Sequence, residues 1–141
     1  MSINNIFGIA GSGLNAQIVR MNLTASNLAN AQATAPTEAE AFRAKRPVFK
    51  TLMDQTMTDA GNQAVGGIKV QQIQNDAASV SRLYQPSNPQ ADKDGYVYGS
   101  NVNEITEMVE MMSASRSYQN NVEVMNTARE LAARTIDLIK S

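Results

Sequence analysis

MNLTASNLANAQAT, residues 21–34, begins like an amphipathic helix and continues in alanine, asparagine, serine and threonine. Met21 and Leu28 are one heptad apart, which is the spacing of a helix that packs along a partner. The asparagines of this stretch stand where a stable helix normally carries stronger helix formers or a definite stop. The stretch therefore raises the question of what these small polar side chains contact.

The same heptad pattern extends back toward the N-terminus and predicts a helix over residues 3–30. The apolar seam, followed by the positions four residues later, consists of Phe7, Leu14, Met21 and Leu28, with Gly11, Ile18 and Ala25. The small residues among them allow a second helix to approach closely. Three glycines precede Leu14, and each costs about 1 kcal/mol relative to alanine in a helix. We therefore expect the helix to be better formed after Leu14 than before it.

Residues 103–140 carry the strongest helical pattern in the chain. Asn103 is a favourable N-cap, and Glu104 and Glu107 place negative charge in the first turns. Two stripes follow on different faces: the first is Met108, Met111, Ser115, Tyr118, Val122, Met125, Arg129, Ala132, Ile136 and Ile139, and the second is Val124, Ala128, Leu131, Thr135 and Leu138. Because a surface helix needs only one apolar stripe, the pattern predicts a helix with neighbours on both sides.

Between these helices, residues 31–100 contain all four prolines and show no helical period. A short strand that Pro47 ends or edges, followed by a turn, is predicted within FRAKRPVFKTLM (42–53). Further short strands are predicted within GIKVQQI (67–73) and VSRLY (80–84). DKDG (92–95) predicts a turn before YVY. We expect a small β element in which loop residues outnumber strand residues.

The composition indicates a chain with few of the large side chains that dominate the core of a monomer. Aromatic residues make up 5%, tryptophan is absent, and charged residues make up only 18%. A surface with so little charge is poorly protected against association. The chain is either an ordinary domain that associates weakly, or a subunit meant to be covered by copies of itself or its relatives.

The charge and residue counts exclude several classes of function. A formal net charge of −1 gives no global field that attracts nucleic acid or an anionic membrane. Cysteine and histidine are absent, so thiol chemistry, the commonest general base and the commonest metal ligand are missing. No apolar run approaches the length of a membrane span, and the N-terminal stretch lacks the early positive charge of a secretory signal. We expect no nucleic-acid binding, no direct membrane insertion and no cleaved signal peptide.

Three local patterns have a chemical interpretation, and each has a simpler structural one. GIAGSG (8–13) has the wrong glycine spacing for a dinucleotide-binding turn and follows no strand, so close helix packing is favoured. Glu104, Glu107 and Glu110 share one helical face, and their place near a helix N-terminus explains them better than acid–base or metal chemistry. DKDG lacks the downstream acidic ligand of a calcium loop and predicts a plain turn. We predict no catalytic site, no cofactor, no metal and no small-molecule substrate.

FRAKRPVFK (42–50) concentrates basic residues beside two phenylalanines. Such a patch can bind single-stranded nucleic acid. In a chain without excess positive charge, a solvated loop, or a loop that pairs with acidic neighbours in an assembly, is favoured. Arg129 lies on an apolar stripe, where a charge needs a partner or a route to water. It is a candidate for an ion pair between subunits.

Three separated segments resemble the flagellar rod and hook proteins, the axial family of the bacterial flagellum. RMNLTASNLANA (20–31) resembles the N-terminal signature of that family, a helix that ends in an asparagine-rich SNLAN block. ASRSYQNNVEVMNTARELAARTIDLIK (114–140) resembles the matching C-terminal helix. YQPSNPQADKDGYVYGSNVNEITEMVEM (84–111) is similar to the segment that distinguishes the proximal rod members. The three motifs occur in the family's order and at the expected distances from the two termini.

The resemblance implies a structural, non-catalytic subunit of the proximal rod of the flagellar basal body, which transmits motor torque. The implied fold is mainly α: helices within 1–30 and 101–141 form an antiparallel coiled coil, with a small irregular β and loop region over 31–100. The implied partners are copies of the chain, other rod proteins, and the ring and export-gate components of the basal body. Such subunits are exported unfolded through the flagellar type III apparatus, without a cleaved signal peptide, and assemble in the periplasm.

On this interpretation the SNLAN block lies at an interface between subunits, because small side chains allow close helix packing and amides form hydrogen bonds. The simpler alternative is that the asparagines only cap one helix. The predicted interface residues are Leu14, Ile18, Met21, Asn27, Leu28, Ala29, Asn30, Tyr118, Asn121, Val122, Met125, Arg129, Leu131 and Ile136. A soluble coiled-coil adaptor or export chaperone that binds a partner helix would need the same stripes, and it is the alternative function.

Both terminal segments are expected to be largely unfolded or labile in an isolated chain, because their apolar side chains stabilise a helix only when a partner covers them. Amide hydrogen exchange of the dilute chain, followed by mass spectrometry, should therefore show little protection over residues 5–28. Strong protection of that segment without a partner would contradict this expectation.

Overall fold

In the part of the chain that the structure describes, five strands lie between two long helices in the sequence. The computed structural model describes residues 3–52 and 66–140. The elements in chain order are α1 (Ile3–Ala29), β1 (Thr34–Ala35), β2 (Lys45–Leu52), β3 (Gly67–Asn75), β4 (Arg82–Tyr84), β5 (Tyr96–Gly99) and α2 (Glu104–Lys140). The prediction of a mainly α chain, with a helix toward each end and a small β region between them, is confirmed. Neither of the described helices has the length and apolar content needed to span a membrane.

Helix α1 is continuous and passes through all three glycines. We expected a better helix after Leu14, but the structure shows no break before that residue, because α1 also packs against α2 there. Gly13 lies where the helices are close, since a Cβ at this position would be 3.0 Å from Asn121 Nδ2. At the C-terminal end of α1, Asn30 Nδ2 donates a hydrogen bond to Ser26 O at 2.8 Å.

Helix α2 begins at the predicted N-cap. Asn103 Oδ1 accepts a hydrogen bond from Thr106 N at 3.0 Å, and Asn103 O accepts one from Glu107 N at 3.0 Å. The side-chain bond satisfies an N–H group that the first turn of a helix leaves free. The prediction that Asn103 caps this helix is confirmed.

The contacts between the two helices show that they run antiparallel. Residues that come later in α2 contact residues that come earlier in the N-terminal part of the chain. The contacting pairs, in order, are Gln32–Glu104, Asn27–Glu107, Arg20–Glu110 and Gly13–Asn121. Extending this pairing places Ile3, the first residue of α1, level with Leu131. Helix α2 therefore extends about nine residues beyond α1, or about 13 Å at a rise of 1.5 Å per residue.

The residues that the two helices bury are almost all small. They are Ala10, Gly13, Ala16, Thr24 and Asn27 on α1, and Glu107, Ala114 and Ala128 on α2. The large apolar seam predicted for α1 is not its most buried face, since Phe7, Leu14, Met21 and Leu28 are half-buried and Ile18 is exposed. The helices approach closely through small residues, which leaves the larger side chains at the margin of the contact. On α2, the side chain of Ile139 in the first predicted stripe lies outside the described residues.

The strands form two small antiparallel sheets, one with the order β1–β5–β4 and one that is the hairpin β2–β3. The strands predicted within 67–73 and 80–84 are confirmed as β3 and β4, and the strand predicted within 42–53 is present as β2. This strand does not end in a turn after Pro47 but continues to Leu52, which a proline permits because β2 is an edge strand of a two-stranded sheet. Met53, at the end of the first segment, lies outside the described residues. Val97 on β5 is 0% exposed, and it is the only apolar residue larger than alanine that is buried in the described chain.

The hairpin lies along one side of α1. At one end Lys45 N donates a hydrogen bond to Asn27 Oδ1 at 2.8 Å, and at the other Ile68 N donates to Ser12 Oγ at 3.1 Å. Asn27 and Ser12 are separated by about 22 Å at 1.5 Å per residue. This separation is close to the length of the eight-residue strand β2, so the strand follows the helix axis.

The predicted turn before β5 is held by the carboxylate of Asp92. Asp92 Oδ1 accepts hydrogen bonds from Tyr96 N at 2.8 Å and Asp94 N at 2.9 Å, and Oδ2 accepts one from Arg82 at 3.1 Å. These donors, Tyr96 N first, hold the pKa of the Asp92 carboxyl below its usual value. Gly95 has a φ of 81°, which favours glycine. Residues 3–52 and 66–140 contain no group of three or more acidic side chains that could hold a metal ion.

Replacement of Ala114 by leucine tests how closely the helices pack. Ala114 is 0% exposed, so the added volume should separate the helices and destabilise the fold by about 1–3 kcal/mol. Because the isolated chain is expected to be labile, we suggest folding it with trimethylamine N-oxide and following circular dichroism. The Ala114→Leu variant should require more osmolyte than the parent.

The matched control for this variant is Ala133→Leu, at an exposed position on the same helix. It should fold at the same osmolyte concentration as the parent. Equal folding midpoints for Ala114→Leu and Ala133→Leu would contradict the close contact between the helices.

Candidate assembly site

One asparagine of the SNLAN block joins three parts of the fold. Asn27 Oδ1 accepts a hydrogen bond from Lys45 N at 2.8 Å, and Asn27 Nδ2 donates to Lys45 O at 3.0 Å. The same Nδ2 donates to Glu107 Oε2 at 3.0 Å. The amide therefore binds the backbone of β2 as a neighbouring strand would, and it also holds the first turns of α2. Since Asn27 is 0% exposed, these contacts are internal to the chain.

Glu107 carries a negative charge into the same interior. It is 0% exposed, and its Oε1 atom lies 2.9 Å from Arg46 Nη2 in an ion pair that falls outside hydrogen-bonding geometry. Arg46 also forms a second ion pair, in which its Nε lies 3.8 Å from Oδ2 of Asp76, a residue just beyond the end of β3. A buried carboxylate is stable only when it is paired and hydrogen-bonded. Asn27 supplies the hydrogen bond and Arg46 the opposite charge, so α1, α2 and the hairpin meet at this point.

Asn101 holds the start of β2 by a second set of bonds. Its Oδ1 accepts a hydrogen bond from Ala44 N at 2.7 Å, and its Nδ2 donates to Ala78 O at 3.0 Å. Ala44 is 1% exposed, so its N–H depends on this bond in place of water. The role of Asn101 was not predictable from the sequence, because no local signal marks an asparagine whose partners are distant in the sequence.

The other two carboxylates of the predicted acidic series also contact the N-terminal part of the chain. Glu110 forms an ion pair with Arg20 on α1. Glu104 Oε1 accepts a hydrogen bond from Gln32 Nε2 at 3.0 Å. The acidic series therefore binds the first turns of α2 to α1 and to the residues that follow α1.

The predicted basic segment pairs with acidic and aromatic neighbours in its own chain. Arg43 Nη1 donates a hydrogen bond to Ala78 O at 2.9 Å, and its Nη2 lies 3.4 Å from Glu38 Oε1. Lys45 Nζ lies 5.9 Å from the centre of the Phe42 ring, within the range of a cation–π contact. Arg43 and Lys45 thus have partners within one chain, whereas Lys50 of the same segment forms no ion pair in the described residues, and the expected pairing in an assembly stays a prediction.

The predicted interface residues differ in how far the chain leaves them accessible. The exposed ones are Ile18, Ala29, Arg129, Leu131 and Ile136. The half-buried ones are Leu14, Met21, Leu28, Asn30, Tyr118, Asn121, Val122 and Met125. Asn27 is the buried member of the set, and its amide is occupied by partners in its own chain. The amide of Asn27 is therefore not accessible to a neighbouring subunit, and the other residues of the set stay predicted interface residues.

Helix α2 exposes large apolar side chains along its length. Those that are at least 49% exposed are Ile105, Met108, Val109, Met112, Val124, Leu131, Ile136 and Leu138. Exposed apolar surface of this kind marks a site of protein contact when it is contiguous. Ile105, Val109 and Met112 belong to neither of the two predicted stripes, although their 3-4 spacing is the signal that predicts one more apolar face.

The sequence of the chain is similar to those of proteins of the bacterial flagellar basal body. The family described as "Flagellar basal body rod FlgEFG protein C-terminal" matches residues 93–138, which include β5 and most of α2. The flagellar basal-body rod protein FlgC of Salmonella typhimurium is 45% identical over 138 residues, covering 98% of each chain. FlgC of Yersinia enterocolitica is 47% identical over 138 residues, again 98% of each chain. FlgC of Agrobacterium fabrum is 38% identical over 134 residues, 94% of this chain and 92% of its own.

These similarities, together with the two terminal helices, define a structural protein of the flagellar basal body, which is not an enzyme. Within that class, the chain belongs to the FlgC family of basal-body rod proteins. The resemblance drawn from three segments of the sequence is confirmed, and so is the prediction of a structural rod subunit.

Replacement of Asn27 by alanine tests the junction. The change leaves Lys45 N, Lys45 O and one oxygen of Glu107 without partners in a buried site, which should destabilise the fold by about 1–3 kcal/mol. Osmolyte-induced folding, followed by circular dichroism, measures the effect. The control is Asn22→Ala, at an exposed position of the same helix. Identical behaviour of the two variants would contradict the internal role of Asn27.

Proposed function

We propose that the chain polymerises through α1 and α2 into the proximal rod, a part of the drive shaft that transmits motor torque. The observation that supports this most directly is the exposed apolar surface of α2, which no other part of the described chain covers. Neighbouring helices would remove that surface from water, which stabilises an assembly by about 25 cal/mol per Å² of apolar area. On this proposal residues 1–30 and 101–141 form the assembling core, and residues 31–100 form a loop and β region beside it.

The core is proposed to be an antiparallel coiled coil. Asn27 and Gly13 are two heptads apart on α1, and their partners Glu107 and Asn121 are two heptads apart on α2. Contacts that recur at multiples of seven on both helices support a heptad seam. Small residues in that seam would bring the two axes close together.

The interface between subunits is proposed to use the predicted residues that the chain leaves accessible. Leu131 and Ile136 on α2 are more than half exposed and would pack on helices of neighbouring subunits. Ile18 and Ala29 would extend the contact along α1. Arg129 is exposed and would form an ion pair with a carboxylate of a neighbouring subunit, because a charge inside an apolar interface needs a partner.

The location and partners of the chain follow from its family as proposals. The chain would reach the periplasm unfolded, through the flagellar type III apparatus and without a cleaved signal peptide. There it would contact copies of itself, other rod proteins, and ring and export-gate components. A described core of alanines and one valine supports export in the unfolded state, because little apolar burial opposes unfolding. The alternative of a soluble adaptor or export chaperone is not favoured by the similarity to FlgC.

Leu131→Asp and Ile136→Asp test polymerisation. Both side chains are more than half exposed in the isolated chain, so the fold should tolerate the change. In a packed interface the new carboxylate would be buried without a partner. Cells that carry either variant should produce the protein but fail to swim, and their basal bodies should lack the rod.

Ser87→Asp, in an exposed loop between β4 and β5, is the control and should allow normal swimming. Complete rods and normal swimming in both α2 variants would overturn the proposed function.

A further inference from the structure

The hairpin β2–β3 concentrates positive charge in a chain whose net charge is −1. Its strands contain no acidic residue, and its cations are Lys45, Arg46, Lys50 and Lys69. The first two are engaged at the junction, by the Phe42 ring and by Glu107. Lys50 and Lys69 form no ion pair within residues 3–52 and 66–140. These two charges are therefore available to a partner.

Lys50 and Lys69 lie directly opposite each other in the register of the hairpin, and both are exposed. Like charges at opposed positions destabilise a sheet. Together with Leu52 and Gln71 they line a shallow depression of about 270 Å³. We call these four residues the lysine face. A carboxylate placed between the two ammonium groups would relieve their repulsion, and an apolar side chain would cover Leu52, which is 45% exposed.

The lysine face is the outer face of the hairpin. Successive side chains of a strand point to opposite sides of the sheet, and Phe49 and Ile68 alternate with the residues of the lysine face. Phe49 lines a groove with Arg20 and Thr24 of α1, and Ile68 lines one with Ile9. The helices of the same chain therefore approach the opposite face, where Phe49 and Ile68 keep 40% and 42% exposure, and no helix residue lines the depression on the lysine face.

The distal half of α2 presents a complementary surface. Three exposed carboxylates recur every seven residues, and a row of exposed apolar residues follows each by one position: Glu123, Glu130 and Asp137, with Val124, Leu131 and Leu138. Successive members of each row are about 10 Å apart along the helix. Among the side chains of residues 5–52 and 66–138, none of these carboxylates forms an ion pair. We call these six residues the acidic ridge.

The far end of the acidic ridge cannot reach the lysine face of its own chain. Ile68, next to Lys69, is bound to Ser12, and the helix pairing places Ser12 level with about residue 122 of α2. Asp137 lies about 22 Å further along the helix, beyond the length of a lysine side chain. A contact that uses the whole ridge must therefore join two chains.

We propose that the acidic ridge of one copy docks on the lysine face of another copy. The proposal rests on the proposed polymerisation and names one of its contacts. Charge and apolar surface match on the two sides: on the hairpin a leucine lies beside the opposed pair of lysines, and on α2 a valine or leucine lies beside each carboxylate. The contact joins two different surfaces, so it is heterologous, and heterologous contacts that do not close into a ring produce helical filaments.

Charge reversal in the full chain tests this contact. The double variant Lys50→Glu with Lys69→Glu should abolish swimming and rod assembly, and so should Glu130→Lys with Asp137→Lys. The chain that carries all four changes again has opposite charges across the contact and should recover at least partial assembly. Lys93→Glu, an exposed cation outside both surfaces, is the control and should assemble normally.

The outcomes separate this contact from the proposed function. Normal assembly of both double variants, or no recovery in the quadruple variant, overturns the contact between ridge and hairpin. If Ile136→Asp then still blocks the rod, polymerisation through α2 stands without this contact. If Ile136→Asp also assembles normally, the proposed function fails as well.

The absence of cysteine from the chain allows the contact to be detected directly. Cells that produce one copy with Lys69→Cys and another with Asp137→Cys should yield a disulfide-linked dimer in isolated rods under mild oxidation. Replacing Lys69→Cys by Lys93→Cys should remove the dimer. Rods that contain both Lys69→Cys and Asp137→Cys copies without the linked dimer would overturn the proposal.

Discussion

The hydrogen bonds of Asn27 are the interaction on which the rest of the structure depends. They fix the end of α1 to the backbone of Lys45 on β2 and to Glu107 at the start of α2. Because Asn27 and Glu107 are both 0% exposed, water cannot replace these bonds. Without Asn27 and Arg46, Glu107 would be an uncompensated interior charge, which is strongly destabilising. The antiparallel register of the two helices and the position of the hairpin both follow from this point.

The close approach of the helices has a second consequence for the chain. A seam of alanine, glycine and asparagine brings two backbones near each other but buries little apolar surface. Among the larger apolar residues of the described chain only Val97 is buried, while Leu131, Ile136 and others on α2 face outward. A chain built in this way leaves much of its apolar surface for neighbouring subunits to cover, as the proposed function requires. This property suits a rod subunit that is proposed to be exported unfolded and to become ordered on assembly.

Local patterns predicted both helices and the strands β2, β3 and β4, because these elements depend on neighbours in the sequence, but they did not predict β1 or β5 as strands. Heptads predicted both helices, Asn103 predicted the start of α2, and alternating side chains predicted β3. Roles that depend on distant partners were not predictable in this way. The amide of Asn27 carries no local sign of its bonds to Lys45 and Glu107, so we expected it at a subunit interface. The heptad pattern also placed large side chains in the predicted seam, whereas the closely packed antiparallel helices bury small ones.

The decisive measurement is a density map of an intact basal-body rod at a resolution that shows side chains. The central claim is that each chain is held internally by its polar junction and is covered externally by its neighbours. The account predicts that Met112, Leu131 and Ile136 contact helices of adjacent subunits, while Asn27 stays bound to Glu107 of its own chain. An assembled rod in which these apolar side chains face water, or in which Asn27 bonds to a neighbouring subunit, would contradict it.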